Sequence, residues 1–195
     1  MKGPIFLSAS VPVREPYAST GDVIAIREAV LALVSVTVRD RELVFGGHPA
    51  ISPLVEHAAR SLGAVENVHI YQSRWFLERN LIPEVAYKFQ NFHWTATDTS
   101  TAEVAPSLTK MRNEMIGSRP FCAAVVIGGM EGIYEEADIF RRMHGGKPLF
   151  ALASTGGASI DIFEREKSRF SDTDAMALFQ ERRYRRLIKN LLPEE

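Results

Sequence analysis

The sequence has little cysteine, little net charge and no long apolar run, and each absence argues against a class of protein. A single cysteine, Cys122, allows no disulfide within the chain and fits a reducing compartment. The apolar run near the N-terminus is short and is interrupted by Ser and Pro, which argues against a signal peptide or a membrane anchor. The formal net charge of −1 creates no global field that attracts nucleic acid or an anionic membrane. We therefore expect a cytoplasmic protein with no nucleic acid and no membrane among its partners.

Two common nucleotide-binding motifs are also absent. Neither the Rossmann pattern GxGxxG nor the P-loop pattern GxxxxGKS/T occurs in the sequence, which argues against a conventional dinucleotide enzyme and a P-loop NTPase. We predict no bound cofactor. We also predict no metal site, because four histidines show no metal-ligand spacing with Cys122 or with one another: His57, His69, His93 and His144.

Short apolar runs alternate with longer segments of helical periodicity. Runs of wholly apolar residues followed by helices are typical of a parallel sheet that is covered on both faces. We predict an α/β fold: one doubly wound, mostly parallel, Rossmann-like sheet with helices on both faces, in a single domain over residues 1–195. The predicted strands are Ile5–Val11, Glu42–Gly46, Asn67–Ser73, Phe92–Thr97, Phe121–Gly129 and Lys147–Ser154.

Helices are predicted between and after these strands. Asp22 is the predicted N-cap of the first helix, and Ser107 is the predicted cap of a helix around LTKMRNEMIG, which follows the polar loop DTSTAEVAPS. One C-terminal helix is predicted over residues 172–192, because its acidic start and basic end match the helix dipole. Its apolar face is expected to pack on the sheet or on a second subunit.

Glycine and serine are concentrated where the predicted strands end. The loops are SAS, GGHP, GGMEG and STGGAS, after the first, second, fifth and last strands. Open α/β sheets bind ligands beyond the carboxyl ends of their strands, so we expect a nucleotide-type site there. Peptide N–H groups at such loops bind phosphate without Lys or Arg, although plain turn geometry is the alternative explanation. The candidate ligand-binding residues are Ser8, Ser10, Gly46, Gly47, His48, Gly128, Gly129, Met130, Glu131 and Gly132.

Two regions of the sequence carry a resemblance to a known family. VFGGHPAISPLV, paired with MRNEM and FCAAVVIGGMEGIYEEADIF, resembles the SLOG superfamily. That group includes the lonely-guy cytokinin-activating phosphoribohydrolases and sensor domains that bind ADP-ribose-like nucleotides. The enzymes carry a glycine-rich loop after the second strand, an Arg in a short helix, and PGGxGTxxE after a later strand. Here Ile127 replaces the proline of that last motif, Ile133 replaces its threonine, and GGMEG is one residue longer than GGxG.

The resemblance implies roles for several charged residues. Arg112 precedes the later glycine loop by about the family interval, and Glu136 keeps the spacing of the motif's glutamate. These two are the implied catalytic pair, because cleavage of an N-glycosidic bond passes through an oxocarbenium-like state that a carboxylate stabilises. Glu135 is a further candidate ligand-binding residue, and Glu131 is expected to accept hydrogen bonds from ribose hydroxyls or an adenine amino group. The alternative for Glu135 and Glu136 is that they only stabilise the helix N-terminus.

Three functions are consistent with these features. The first is a non-catalytic sensor that binds a nucleotide or an ADP-ribose-like ligand and acts through an effector protein. The second is a phosphoribohydrolase that releases the base and ribose 5-phosphate from a nucleoside monophosphate. The third is a structural or interaction protein with a vestigial site, which the missing proline and threonine would indicate. Related proteins commonly pair through helices beside the pocket, so the resemblance also implies a homodimer.

Overall fold

Six parallel strands form one sheet. The computed structural model describes residues 1–100 and 103–193. The strands are β1 (Ile5–Ser10), β2 (Leu43–Phe45), β3 (Val68–Ser73), β4 (Asn91–Thr95), β5 (Ala123–Gly128) and β6 (Leu149–Leu152). Their order across the sheet is β4-β3-β2-β1-β5-β6, and every neighbouring pair is parallel. The predicted α/β, doubly wound, Rossmann-like fold is therefore confirmed.

The apolar strands explain why the sheet is covered on both faces. Successive side chains of a strand point to opposite faces, yet all six residues of β3 and all six of β5 are buried. Both faces are removed from water only when other elements pack on each side. β4 differs, because only Thr95 among its five residues is fully buried, as expected for a strand at the edge of the sheet.

The helices surround this sheet. α1 packs against α2 and α8, and α4 packs against α5. The α-helices among the described residues are α1 (Val23–Thr37), α2 (Ser52–Ser61), α3 (Arg74–Leu77), α4 (Val104–Ile116), α5 (Gly132–Met143), α6 (Ser159–Glu166), α7 (Asp172–Gln180) and α8 (Tyr184–Leu191). Short 3-10 segments lie at Val65–Asn67, Glu84–Lys88, Ala153–Thr155 and Lys167–Arg169.

The C-terminal segment folds as two helices, α7 and α8, so the prediction of one helix over residues 172–192 is wrong. The break lies at Glu181, whose backbone is extended. The Glu181 carboxylate accepts hydrogen bonds from the backbone amides of Arg182 (2.9 Å) and Arg183 (2.8 Å). A side chain that binds its own neighbouring amides competes with helical hydrogen bonding and ends the helix. The apolar face of α8 then packs against α1.

The start of α4 is a second correction. The helix begins at Val104, so Ser107 lies inside it and does not cap it. The Ser107 hydroxyl is buried and accepts a hydrogen bond from the amide of Asp98 at 2.9 Å. The predicted polar loop DTSTAEVAPS is therefore partly helical, and its residues Thr101 and Ala102 lie outside the described residues.

Within the two described ranges, every helix is either too short or too polar to cross a bilayer.

The path of the chain through the sheet determines where a ligand can bind. From β1 the chain adds β2, β3 and β4 on one side, and it then returns to place β5 and β6 on the other side of β1. The crossover direction therefore changes between β1 and β5. Open α/β sheets bind ligands outside the carboxyl ends of the strands at such a switch point. The loops after β1, β2 and β5 meet there.

Asp22 caps α1 as predicted, and it offers a test of the fold. Its carboxylate accepts a hydrogen bond from the Ala25 amide at 2.9 Å and from Arg182 Nη1 at 2.7 Å. The Ala25 amide and Arg182 together lower the pKa of Asp22.

We expect Asp22→Ala to lower the free energy of unfolding by about 1 kcal/mol at pH 7, the usual value of an N-cap. Because the pKa of Asp22 is lowered on folding, this contribution is present above the ordinary Asp pKa of about 3.9 and is lost as the pH falls through the lowered pKa. Asp22→Asn, which keeps a capping oxygen, is the control. Urea denaturation at pH 7 and in the acidic range measures both variants. An equal loss of stability in both would contradict the capping role.

Candidate functional site

A cavity of about 370 Å³ opens at the switch point, within the range of small-molecule sites. It is bordered by the loops after β1, β2 and β5, by the end of β3, and by α4 and α5. Nine of the residues predicted from the sequence line it: Ser10, Gly46, Gly47, His48, Arg112, Met130, Glu131, Gly132 and Glu136. The cavity therefore brings together residues that lie far apart in the sequence.

Four predicted site residues do not line the cavity, and two of them are Gly128 and Gly129. The amide of Gly128 donates to Thr155 Oγ1 at 2.8 Å, and the amide of Gly129 donates to the Ser10 carbonyl at 2.8 Å. The Gly129 carbonyl accepts from the amide of Ala158. These hydrogen bonds connect the ends of β1, β5 and β6, so the two amides are occupied within the protein. The STGGAS loop, which contains Thr155, likewise lies outside the cavity lining.

The other two, Ser8 and Glu135, contact the charged residues of the cavity from outside its lining. Ser8 is buried, and its hydroxyl donates to Glu136 Oε2 at 2.5 Å. Glu135 accepts a hydrogen bond from Arg112 Nη1 and another from Thr109 Oγ1 at 2.6 Å. Ser8 therefore holds Glu136 in position, and Glu135 holds Arg112.

Arg112 connects α4 to two carboxylates of α5. It ion-pairs with Glu135, and its Nε lies 3.5 Å from Glu136 Oε1. The Nε atom is buried and has no well-aligned hydrogen-bond partner among the described residues. A Cβ atom added at Gly132 would lie 2.6 Å from Arg112 Nη2, so the first residue of α5 leaves room for the guanidinium.

Glu136 is a largely buried carboxyl group that lines the cavity, with 14% of its side chain exposed. Burial raises its pKa, and this effect outweighs the lowering by Arg112 and by the Ser8 hydroxyl. A carboxyl group with an elevated pKa next to a cation, in a cleft, is typical of functional sites. Glu136 can therefore exchange a proton nearer to neutral pH than an exposed glutamate.

Gly47 explains the paired glycines after β2. Its φ angle is +65°, which favours glycine, and a Cβ atom there would lie 2.7 Å from Gln72 Nε2 and 2.9 Å from Ile70 Cδ1. A Cβ atom at Gly46 would meet only ordinary contacts, the nearest at 3.6 Å. Gln72 Nε2 donates to the carbonyls of Gly47 (2.8 Å) and Gly46 (3.3 Å). The end of β3 thus fixes the loop after β2.

His48, the next residue of this loop, has a neutral ring that can donate a hydrogen bond. Its Nδ1 accepts a hydrogen bond from the Ala50 amide at 3.2 Å, so the proton of the neutral ring lies on Nε2. Burial lowers the pKa of His48, which favours the neutral form at pH 7. His48 is one of the residues that line the cavity.

Glu131 and Arg14 form an exposed ion pair at the cavity mouth, with Arg14 Nη2 2.8 Å from Glu131 Oε2. The backbone amide of Glu131 and the guanidinium of Arg14 lower the pKa of Glu131. The carboxylate is therefore ionised at neutral pH and accepts hydrogen bonds from hydroxyl or amino groups. Arg14 lies in the loop after β1, and no motif in the sequence indicates its role.

An apolar wall, also missed from the sequence, closes the side of the cavity near β3 and α4. Leu108 and Met111 belong to α4, and Leu108 lies three positions before Met111 and four before Arg112, so it neighbours both on the surface of the helix. The remaining wall residues follow β3: Phe76 belongs to α3, and Leu81, Ile82 and Pro83 lie in the connection after it. Trp75 and Trp94 lie outside the cavity lining; Trp75 has Arg79 over its ring, and Trp94 packs on Phe92.

No cluster of three or more His, Cys, Asp or Glu side chains within residues 1–100 and 103–193 is arranged to hold a metal ion.

Comparison with known proteins identifies the family. The sequence matches the model of the SLOG cluster3 family over residues 16–192, so the chain belongs to that family, and the predicted SLOG membership is confirmed. The X-ray structure of TM1055, a structural genomics target, matches this fold with a TM-score of 0.50 and 17% identity. The match covers 84% of this chain and 81% of TM1055, and it shows the fold alone. No curated protein matches the chain. Family membership supports a nucleotide-related function in general.

We expect Gly47→Ala to be more destabilising than Gly63→Ala. Both glycines have a φ of +65°, but a Cβ atom at Gly63 meets nothing within 4 Å. Gly63→Ala should cost about 1 kcal/mol for the left-handed backbone. Gly47→Ala should cost about 1–3 kcal/mol more, because Ile70 and Gln72 must move. Urea denaturation measures both, and equal losses would contradict the proposed close packing.

We also expect Glu136→Gln to change how stability depends on pH. Because burial raises the pKa of Glu136, the folded state holds this proton more tightly than the unfolded state. The wild type therefore loses stability as the pH rises through the raised pKa, whereas the glutamine variant lacks this titration. The stability of Glu136→Gln relative to wild type should increase between about pH 4 and pH 8. Urea denaturation across that range tests this, with exposed Glu114→Gln as the control. A constant difference would contradict it.

Proposed function

We propose that the cavity binds a nucleotide or an ADP-ribose-like ligand. One observation carries this proposal: the β2 loop, the β5 loop and the Arg112–Glu136 pair all border one cavity at the topological switch point. Open α/β sheets bind nucleotides at that position. Membership of the SLOG cluster3 family supports the same class of function.

The lining suits the separate parts of a nucleotide. The apolar wall of Phe76 and Leu81–Pro83 offers a surface for a base, because bases are flat and largely apolar on their faces. Glu131 and Glu136 on the opposite side accept hydrogen bonds from sugar hydroxyls. Backbone N–H groups of the β2 loop are suited to an anion.

We propose that the chain acts mainly by binding its ligand and that it passes this signal to protein partners. A sensor must pass its state to an effector protein, and we propose such a partner together with pairing of two copies of the chain. Nucleic acid and membranes are not among the proposed partners, because the formal net charge of −1 gives no general attraction to polyanions.

Glu136 supports phosphoribohydrolase activity as a second candidate function. In that reaction the bond from the anomeric carbon to the base nitrogen breaks, its electron pair leaves with the base, and water supplies hydroxyl to the sugar and a proton to the base. A carboxylate next to the anomeric carbon stabilises the positive charge that develops. Glu136 is largely buried, borders the cavity and is held by Ser8 and Arg112, as such a group must be.

Calorimetric titration with AMP, ADP-ribose and adenosine tests the binding proposal. At least one of these should bind the wild type with 1:1 stoichiometry. Glu131→Gln should fold normally, because Glu131 is exposed. It should lower the affinity for the ligand by about tenfold, because a charged hydrogen-bond acceptor is lost. Glu114→Gln, an exposed change on α4, is the control and should bind like wild type. Absence of binding by all three ligands would overturn the proposal and favour a vestigial site.

Incubation with AMP separates the two candidate functions. A sensor returns AMP unchanged, whereas a phosphoribohydrolase releases adenine and ribose 5-phosphate, which chromatography detects. If adenine is released, we expect Glu136→Gln to slow the release by at least about a hundredfold, since the developing positive charge loses its carboxylate. Release at an unchanged rate in that variant would contradict the role given to Glu136.

A further inference from the structure

The two glycine loops that border the cavity differ in what their backbone amides do. In the β5 loop, Gly128 and Gly129 donate to Thr155 and to the Ser10 carbonyl, both at 2.8 Å. In the β2 loop, neither Gly47 nor His48 donates its amide to any of the described residues. Gly47 is nevertheless buried. A buried amide without a protein partner needs water or a ligand to satisfy it.

The direction of the β2-loop amides follows from the geometry of the peptide bond. Gln72 Nε2 donates to the carbonyls of Gly46 and Gly47, and both following peptide bonds are trans. The C=O and N–H groups of a trans peptide point in opposite directions. The amides of Gly47 and His48 therefore both lie on the side of the loop that faces away from Gln72 Nε2. The neutral His48 ring adds its Nε2–H group to the same loop.

The charged groups around the start of α5 disfavour the binding of an anion on that side of the cavity. Around the start of α5 lie three carboxyl groups, Glu131, Glu135 and Glu136, and two guanidiniums, Arg14 and Arg112. Both guanidiniums are already paired with these carboxyl groups. This side therefore offers no uncompensated positive charge, and Ile133 supplies no hydroxyl to the cavity lining there.

We propose that the phosphoryl group of the ligand binds at the β2 loop, to the amides of Gly47 and His48 and to His48 Nε2–H. The sugar hydroxyls then face Glu131 and Glu136. The ligand class is a phosphorylated nucleoside that is held by its phosphate at β2 and by its hydroxyls at α5. This inference rests on the proposed nucleotide binding and adds the orientation of the ligand.

The test compares AMP with adenosine by calorimetry, because the ratio of their affinities isolates the phosphate. The wild type should prefer AMP. His48→Ala and Gln72→Met should each reduce that preference by about tenfold, because the first removes a donor to the phosphate and the second releases the loop carbonyls that orient the amides. The affinity for adenosine should stay within about twofold of wild type. Circular dichroism and urea denaturation show whether each variant is folded.

Ile133→Thr tests the other side of the cavity, since it places a hydroxyl at the start of α5 where the related enzymes have one, and the exposed Glu114→Gln is the control. Both variants should leave the preference for AMP unchanged. The inference is overturned if His48→Ala keeps the full preference, if Ile133→Thr strengthens it, or if the wild type binds adenosine as tightly as AMP. In those cases binding itself is intact and the proposed function stands. Absence of binding by AMP, ADP-ribose and adenosine alike would overturn both proposals.

Discussion

The ion pairs of Arg112 hold the candidate site together. This one guanidinium, on α4, is shared between Glu135 and Glu136 of α5, and Glu136 is in turn bound by the Ser8 hydroxyl of β1. Three elements that are distant in the sequence therefore meet at one charge. The two carboxyl groups compensate the charge of Arg112. A buried charge without such partners would be far less stable, so the ion pairs keep the Arg112 side chain in place. The arrangement leaves no uncompensated positive charge at this end of the cavity, which suits hydroxyl and amino groups better than phosphate.

The glycine loops after β2 and β5 have similar compositions but different structural roles. Gly129 has a φ of +95° and lies so close to Ile133 that any side chain would collide with it. Its amide joins β5 to the end of β1. Gly47 is also crowded, by Ile70 and Gln72, but its amide has no partner among the described residues. One loop thus fastens the strand ends together, and the other leaves its backbone donors without a protein partner.

The sequence predicts the fold well because strands that are buried on both faces appear in it as wholly apolar runs. Runs such as the wholly apolar β5 identify central parallel strands, and glycines at strand ends indicate where the cavity opens. Several features depend on contacts between distant residues and leave no local pattern. Gln72 resembles any polar residue at a strand end until it is seen holding the β2 loop. Four of the six residues of the apolar wall come from the connection between β3 and β4, which has no clear periodicity. The break at Glu181 depends on side-chain hydrogen bonds that helical patterning does not reveal.

The central proposal is that a nucleotide occupies the cavity between the β2 loop and the start of α5. A crystal structure of the protein grown with saturating AMP is the decisive experiment. We expect the nucleotide inside the cavity, with phosphate oxygens within about 3.2 Å of the Gly47 and His48 amide nitrogens and the ribose hydroxyls beside Glu131 or Glu136. AMP bound only elsewhere on the surface, or a cavity that stays empty of nucleotide at saturating concentration, would contradict it.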